Sequence, residues 1–188
     1  MYEDYEPKTT VYSLIAREAC DLIEAAMMAV VGVILVFTFV VRLAGVDGVS
    51  MLPTLADQDR LAITRMGGEP RQGDIVVVIM PNRVGEPLVK RVIAAGGQTI
   101  DIDFEAGIVL VDGTELHEPY ISESTALSYD VYFPQTVPDG HVFIMGDNRN
   151  NSWDSRDSRI GMVDNRYILG RAIYRVFPYN RMGRLGVP

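Results

Sequence analysis

The sequence predicts a mainly β chain: an N-terminal single transmembrane helix followed by a coiled antiparallel β-sheet sandwich or partly open barrel. Two contrasting patterns carry this reading. Residues 25–41 contain no charged side chain, whereas beyond Val46 the apolar residues fall into short β-branched runs separated by turn residues, with no long helical period. At 188 residues, the chain has room for one such helix and one domain able to bury a sizeable core.

Taken in order, residues 1–21 read as a polar tail. The charge-free run rises roughly 25 Å as a helix, somewhat less than a hydrocarbon core of about 30 Å. Leu22 and Ile23 before it and the apolar residues after Arg42 extend the predicted anchor to residues 22–45. Glu24 and Arg42 then fall near the two interfaces, where charged side chains reach water. A cleaved signal peptide fits less well, because the polar leader is long and acidic. Lys8 and Arg17 on one side roughly balance Arg42, Arg60 and Arg65 on the other, so charge alone does not set the orientation.

Residues 46–188 are predicted to hold the β domain. Its strands are expected over residues 60–64, 74–80, 88–94, 99–104, 108–111, 141–145 and 172–177. Gly67-Gly68, Gly96-Gly97, Asp112-Gly113 and Pro138-Asp139-Gly140 punctuate them, and Asp112-Gly113 is a dipeptide favoured in tight hairpins. Residues 103–138 read as a small excursion without catalytic residues. Within it residues 121–135, rich in Ser, Thr and Tyr, are the least patterned and are expected to be exposed.

Bulk charge and cysteine content narrow the function. A net charge of -8 argues against a nucleic-acid binder, which needs a basic surface to displace counterions. Cys20 is the single cysteine, so no intramolecular disulfide forms. Arg17-Glu18-Ala19 precedes it where a lipid-anchoring signal needs apolar, small residues.

The residue types that carry chemistry are a serine just after the apolar run and a lysine forty residues on. Ser50 lies in Ser50-Met51-Leu52-Pro53-Thr54-Leu55 and Lys90 in Val89-Lys90-Arg91-Val92-Ile93. A serine hydroxyl attacks a carbonyl only when a neighbour takes its proton, and a desolvated, neutral lysine can do so. With a pKa of about 10.4, roughly one lysine in 2,500 is neutral at pH 7, against about one in ten when the pKa is near 8. Such a shift costs roughly 3 kcal/mol, within reach of burial among Leu88, Val89, Val92 and Ile93. Alternation places Lys90 on the face of Leu88 and Val92, with Arg91 on the other. The two histidines, His117 in a polar turn and His141 opening an apolar run, have no chemistry written around them.

Four segments together resemble the bacterial type I signal peptidases, membrane-anchored Ser/Lys proteases that remove signal peptides from exported proteins. They are Gly48-Val49-Ser50-Met51-Leu52-Pro53-Thr54-Leu55, Gly73-Asp74-Ile75-Val76-Val77-Val78, Lys90-Arg91-Val92-Ile93, and Gly146-Asp147-Asn148-Arg149-Asn150-Asn151-Ser152-Trp153-Asp154-Ser155-Arg156. The resemblance implies Ser50 as nucleophile, Lys90 as general base, and Ser152 as the hydroxyl that orients the lysine. It implies that Asp154 and Arg156 pair to stiffen their loop, while Asp147, Asn148 and Arg149 read as hydrogen-bonders forming a turn. The Ser50 N–H is the first oxyanion donor. Gly48 stands where some members carry a serine donor, so that side chain is missing here. Ala94-Ala95-Gly96-Gly97-Gln98 replaces a Gly-Leu-Pro-Gly-Asp run of other members.

The implied substrate is an exported preprotein, bound as an extended peptide with small residues one and three positions before the cut. Val46, Met51, Leu55 and Val89 are the implied pocket walls, with core packing as their other reading. The implied setting is the bacterial cell membrane, with the catalytic domain outside the cytoplasm and the lipid bilayer as partner; no metal or cofactor is expected. Three alternatives stay beside it. One is a specialised processing peptidase of the same family, of the kind found at sortase or pilin loci. Another is a soluble Ser/Lys self-cleaving repressor or mutagenesis protein, against which the apolar run and the 147–156 segment speak. The third is a non-enzymatic, membrane-tethered peptide-binding β domain, for which loss of Ser50 or Lys90 would be the mark. A histidine at position 90 would have pointed to the eukaryotic-type subunit.

Overall fold

The computed structural model describes residues 11–39, 41–65, 67–80 and 87–185, without the side chains of residues 11–13 and 36–39. The chain divides into two compact units, Met1–Val40 and Val41–Pro188. In the first, α1 (Val11–Phe39) is one helix of 29 residues. Arg17, Glu18, Asp21 and Glu24 interrupt its described part, and among the described residues no helix is long and apolar enough to cross a membrane. The anchor expected over residues 22–45 is corrected at its end. The helix stops at Phe39, residue 40 lies outside the described residues, and Arg42–Gly45 forms a strand because its backbone pairs with residues 60–63.

The second unit is built from two antiparallel sheets. Its strands are β1 (Arg42–Gly45), β2 (Arg60–Thr64), β3 (Ile75–Val78), β4 (Leu88–Ala95), β5 (Thr99–Asp103), β6 (Ile108–Val111), β7 (Thr114–Glu115), β8 (Gln135–Thr136), β9 (His141–Met145), β10 (Val163–Asp164), β11 (Ile168–Phe177) and β12 (Gly183–Arg184). The larger sheet runs β1-β2-β11-β3-β4-β9-β10, with β12 on β11, and the smaller runs β7-β6-β5-β8. Register shifts between Val92 and Ala94 in β4, and at three places in β11, curl the large sheet into a half-barrel, since each extra residue bends its strand and increases the twist.

Alternation distributes the apolar side chains over both faces of this sheet. Ile75 and Val77 of β3 join Val46, Met51, Leu55, Leu61, Ile63, Val89 and Ala172 in one core cluster, while Val76 and Val78 join Val92, Val142, Ile144, Ile160 and Ile168 in another. Sheet-on-sheet packing supplies a third cluster, in which Ile100, Ile102, Val109 and Val111 of the small sheet meet Ile93, Phe143 and Met145 of the large one. A run such as Ile75–Val78 is apolar throughout because both of its faces are buried. Asp112 and Gly113 both take positive φ, 52° and 76°, and close the two-residue turn between β6 and β7.

The region 121–135 departs from the expectation of an exposed excursion. Many of its side chains are exposed, but Thr125 is fully buried and its backbone is held by the loop after β9. Asn150 Oδ1 accepts from the N–H groups of Ala126 and Leu127, and the Leu127 carbonyl accepts from Arg156. Loop backbone with polar groups near the interior needs such partners.

Candidate active site

Ser50 lies on the irregular segment between β1 and β2. Met51 and Leu55 bury themselves completely in the core and pin that segment, with Leu55 N–H donating to the Met51 carbonyl at 2.8 Å. Gly48 takes φ +82°, in the left-handed region that favours glycine, and its N–H donates to Asp57 Oδ1 at 2.8 Å. The missing side-chain donor at position 48 thus has a local cause, because a serine there would be strained in this turn. The Ser50 N–H donates to none of the described residues.

Lys90 sits mid-strand in β4, opposite Val76, and is 3 % exposed. Its Nζ lies 2.6 Å from Ser50 Oγ. Burial lowers its pKa from 10.5 to about 8, with Arg156 pushing the same way and Asp154 and Asp147 opposing. At that value about one molecule in ten carries a neutral amine at pH 7, into whose lone pair the Ser50 hydroxyl donates. The arrangement can therefore remove the proton from a serine hydroxyl as that oxygen attacks.

The segment after β9 surrounds this pair. Gly146 lies against both partners of the turn: a Cβ built there would overlap the Ser50 carbonyl oxygen and the Ser152 side chain. Ser152 is buried next to it, and its Oγ has no hydrogen-bond partner among the described residues. The expected contact from Ser152 to the lysine is thus not made, since the hydrogen bond of Nζ goes to Ser50. Asp154 and Arg156, both fully buried, form a two-pronged ion pair with bonds of 2.8 and 2.9 Å. Asp154 also accepts from the Gly146 N–H, and Arg156 spends its other N–H groups on the carbonyls of Leu127 and Arg149. Every charge in this pair is met by a partner, the condition under which a buried pair holds its loop.

Asp147, Asn148 and Arg149 do more than shape a turn. Asp147 receives both prongs of Arg91, at 2.8 and 2.7 Å, and the hydroxyl of Thr54 at 2.5 Å. Asn148 donates its N–H to the Ser50 carbonyl and its Nδ2 to the Val49 carbonyl, at 3.0 and 3.1 Å. Arg149 pairs with Glu118 and donates to Thr125 Oγ1 at 2.9 Å. Tyr120 completes the layer: the Arg91 guanidinium lies 3.9 Å from its ring centroid, and its hydroxyl donates to Glu118. Sequence reasoning missed Thr54, Arg91, Glu118, Tyr120 and Gly146. The signal it had was Arg91 beside the lysine, a second cation in an apolar strand that demands a carboxylate.

Val46, Met51, Leu55 and Val89, the implied pocket walls, are all at most 6 % exposed and belong to one core cluster with Leu61, Ile63 and Ile75. His117 is exposed, and His141, half-buried at the start of β9, has its Nδ1 3.1 Å from the Asp139 carbonyl. Among the described residues no group of three or more His, Cys, Asp or Glu side chains is gathered as a metal ion requires.

A half-barrel of antiparallel strands that buries a lysine against a serine hydroxyl defines a Ser/Lys type of hydrolytic site. The family described as signal peptidase, peptidase S26, matches residues 19–177. The chain is 39 % identical over 170 residues to a probable signal peptidase I-1 of a Synechocystis species, covering 85 % of this chain and 83 % of that protein. It is 33 % identical over 172 residues to a signal peptidase I of Bacillus licheniformis, covering 86 % and 90 %. A crystal structure of a signal peptidase I from Enterococcus faecalis is similar with a TM-score of 0.46 and 26 % identity, over 55 % of this chain and 97 % of that one. The chain belongs to the signal peptidase family, peptidase S26, and is a serine peptidase.

Proposed function

We propose that this chain is a membrane-attached signal peptidase that cuts exported preproteins after small residues, with Ser50 as nucleophile and Lys90 as general base. The observation that carries the reading is the 2.6 Å contact between Ser50 Oγ and a lysine Nζ whose pKa burial has brought to about 8. Ser50 Oγ attacks the scissile carbonyl while neutral Lys90 takes its proton. The lysine then protonates the leaving amine, and in the second half it activates water against the acyl-enzyme. The Ser50 N–H, which no acceptor among the described residues claims, donates to the developing oxyanion. Ser152 lines the site with a buried hydroxyl that makes no bond to the lysine in this arrangement, and the Asp154–Arg156 pair keeps Ser152 in place. Val46, Met51, Leu55 and Val89 back the apolar surface that receives small side chains.

Attachment to the bilayer uses the apolar half of the helix, where residues 25–35 are exposed and the sequence stays free of charge to residue 41. The catalytic unit then works outside the cytoplasm. Alkaline extraction of membranes checks this: the full chain is expected in the pellet, and release into the supernatant would contradict it.

The test of the activity is cleavage of a synthetic precursor whose signal ends in Ala-X-Ala, in detergent, with the cut located by mass spectrometry. Cutting after the final alanine is expected from the wild type and from enzyme treated with a chelator. Ser50→Ala and Lys90→Arg are expected to lose at least about a thousand-fold, because an arginine stays charged at working pH. Full activity in Lys90→Arg would overturn the base assignment.

A further inference from the structure

The nucleophile and the base reside on backbones of different stiffness. Lys90 is fixed by ladders on both sides of β4, with Val76 directly opposite. Ser50 sits on a segment without regular structure, yet its Oγ is held 2.6 Å from the lysine. Something other than a sheet ladder must set that distance.

The segment carrying Ser50 is tied at three points to residues 147 and 148. Asn148 holds the carbonyls of Ser50 and Val49, and Thr54 Oγ1 donates to Asp147 Oδ2 at 2.5 Å. Asp147 is itself fixed by Arg91, the residue next to Lys90, whose third bond goes to the Gly73 carbonyl at 2.9 Å. The ties close a ring: Ser50, Thr54, Asp147, Arg91, Lys90 and back to Ser50. Thr54 is gripped from its other side as well, its carbonyl accepting from Arg175 at 2.9 Å.

Resting on the Ser50–Lys90 reading, we infer that Thr54 is a positioning residue: its hydroxyl, through Asp147 and Arg91, sets the register between the nucleophile and the base. Removing the hydroxyl leaves Asp147 still paired with Arg91, so no charge is orphaned and the fold is kept. What is lost is one of the three ties on the segment that carries Ser50, the one that runs through Asp147 to Arg91, and a displacement of about 1 Å at a reacting atom lowers a rate by about a hundred-fold.

The experiment compares wild type, Thr54→Val and Thr54→Ser in precursor cleavage, measuring kcat, KM and the pH dependence of kcat/KM, with melting curves alongside. Thr54→Val is expected to lower kcat about ten- to a hundred-fold with KM within about twofold, and to keep the acid limb near pH 8. Thr54→Ser, which restores the donor, is expected to recover most of the rate. An acid limb in Thr54→Val that moves up toward 10.5 would mean that water has reached the lysine and the site has loosened, which overturns the positioning role. The inference is equally overturned by a Thr54→Val enzyme as fast as wild type, or by a Thr54→Ser enzyme as slow as Thr54→Val. Thr54→Ala is read in the same way should the valine variant not fold, and failure of both to fold would make Thr54 a folding residue only. A wild type that does not cut removes the underlying reading, a result distinct from all of these.

Discussion

Lys90 and Arg91 are neighbours on one strand, both buried cations, and they are solvated by the protein in opposite ways. Arg91 points to the face where Asp147 takes both its prongs, Gly73 takes a third N–H and Tyr120 covers its plane. Lys90 points to the other face, where among the described residues its side chain bonds to a hydroxyl, and the Asp147 and Asp154 carboxylates are occupied by arginines. Arg91 thereby fastens the loop, whereas Lys90 is left with an uncompensated burial penalty that brings its proton within reach of neutral pH. A single strand thus separates structural charge from titratable charge by the side to which each residue points.

Breaking the paired side should be the costlier change. Arg91→Met leaves the fully buried Asp147 carboxylate without its ion-pair partner and with the neutral Thr54 hydroxyl still donating to it, and a loss of about 3 to 5 kcal/mol is expected in urea unfolding at pH 7. A loss below about 1 kcal/mol would show that the buried pair adds little net stability. The unpaired side should respond with the opposite sign. Lys90→Met, inactive by design, is expected to gain about 3 kcal/mol at pH 7, because folding there opposes protonation of a group whose pKa drops from 10.5 to about 8. The native state binds fewer protons than the unfolded state between those two values, so wild-type stability rises with pH across that window. The advantage of the methionine variant should accordingly shrink as the pH rises from about 8 to 10.5. An advantage that stays constant with pH would assign the effect to packing.

The same titration sharpens the comparison in the kinetics. Below about pH 8 kcat/KM is expected to fall tenfold per unit as Lys90 becomes protonated, and above it to level off. A profile flat from pH 6 to 9 would remove Lys90 as the titrating base. The smallest effect is expected where a charge pair is exposed: Arg166 pairs with Asp164 on a surface turn, and Arg166→Ala should leave the melting temperature unchanged, since water screens such pairs.

Local pattern was enough to place most strands. Residues 60–64, 108–111 and 141–145 were legible to the residue, because alternation and turn signals lie within a few positions of each other. The two-residue strands β7, β8, β10 and β12 were not, since two residues carry no period and exist as strands only through their partners. Residues 42–45 were misread for a related reason. Leu-Ala-Gly after an apolar run looks like more of the run, and only pairing with β2 makes it a strand. Ser50 and Lys90, which the structure brings into contact, were singled out from residue type and surroundings, whereas the Asp154–Arg156 pair was expected only from the resemblance of its segment. The sequence by itself therefore determined the β character, the glycine turns and the residue types able to do the chemistry, all of which follow from short-range sterics and hydrophobic period. Tertiary structure alone decided which buried charge meets which partner: Arg91 with Asp147, Arg149 with Glu118, and the Thr54 hydroxyl with Asp147. Those choices depend on the curl of a sheet that brings residues 56 and 93 positions apart into hydrogen-bond contact, and no local pattern encodes such a distance.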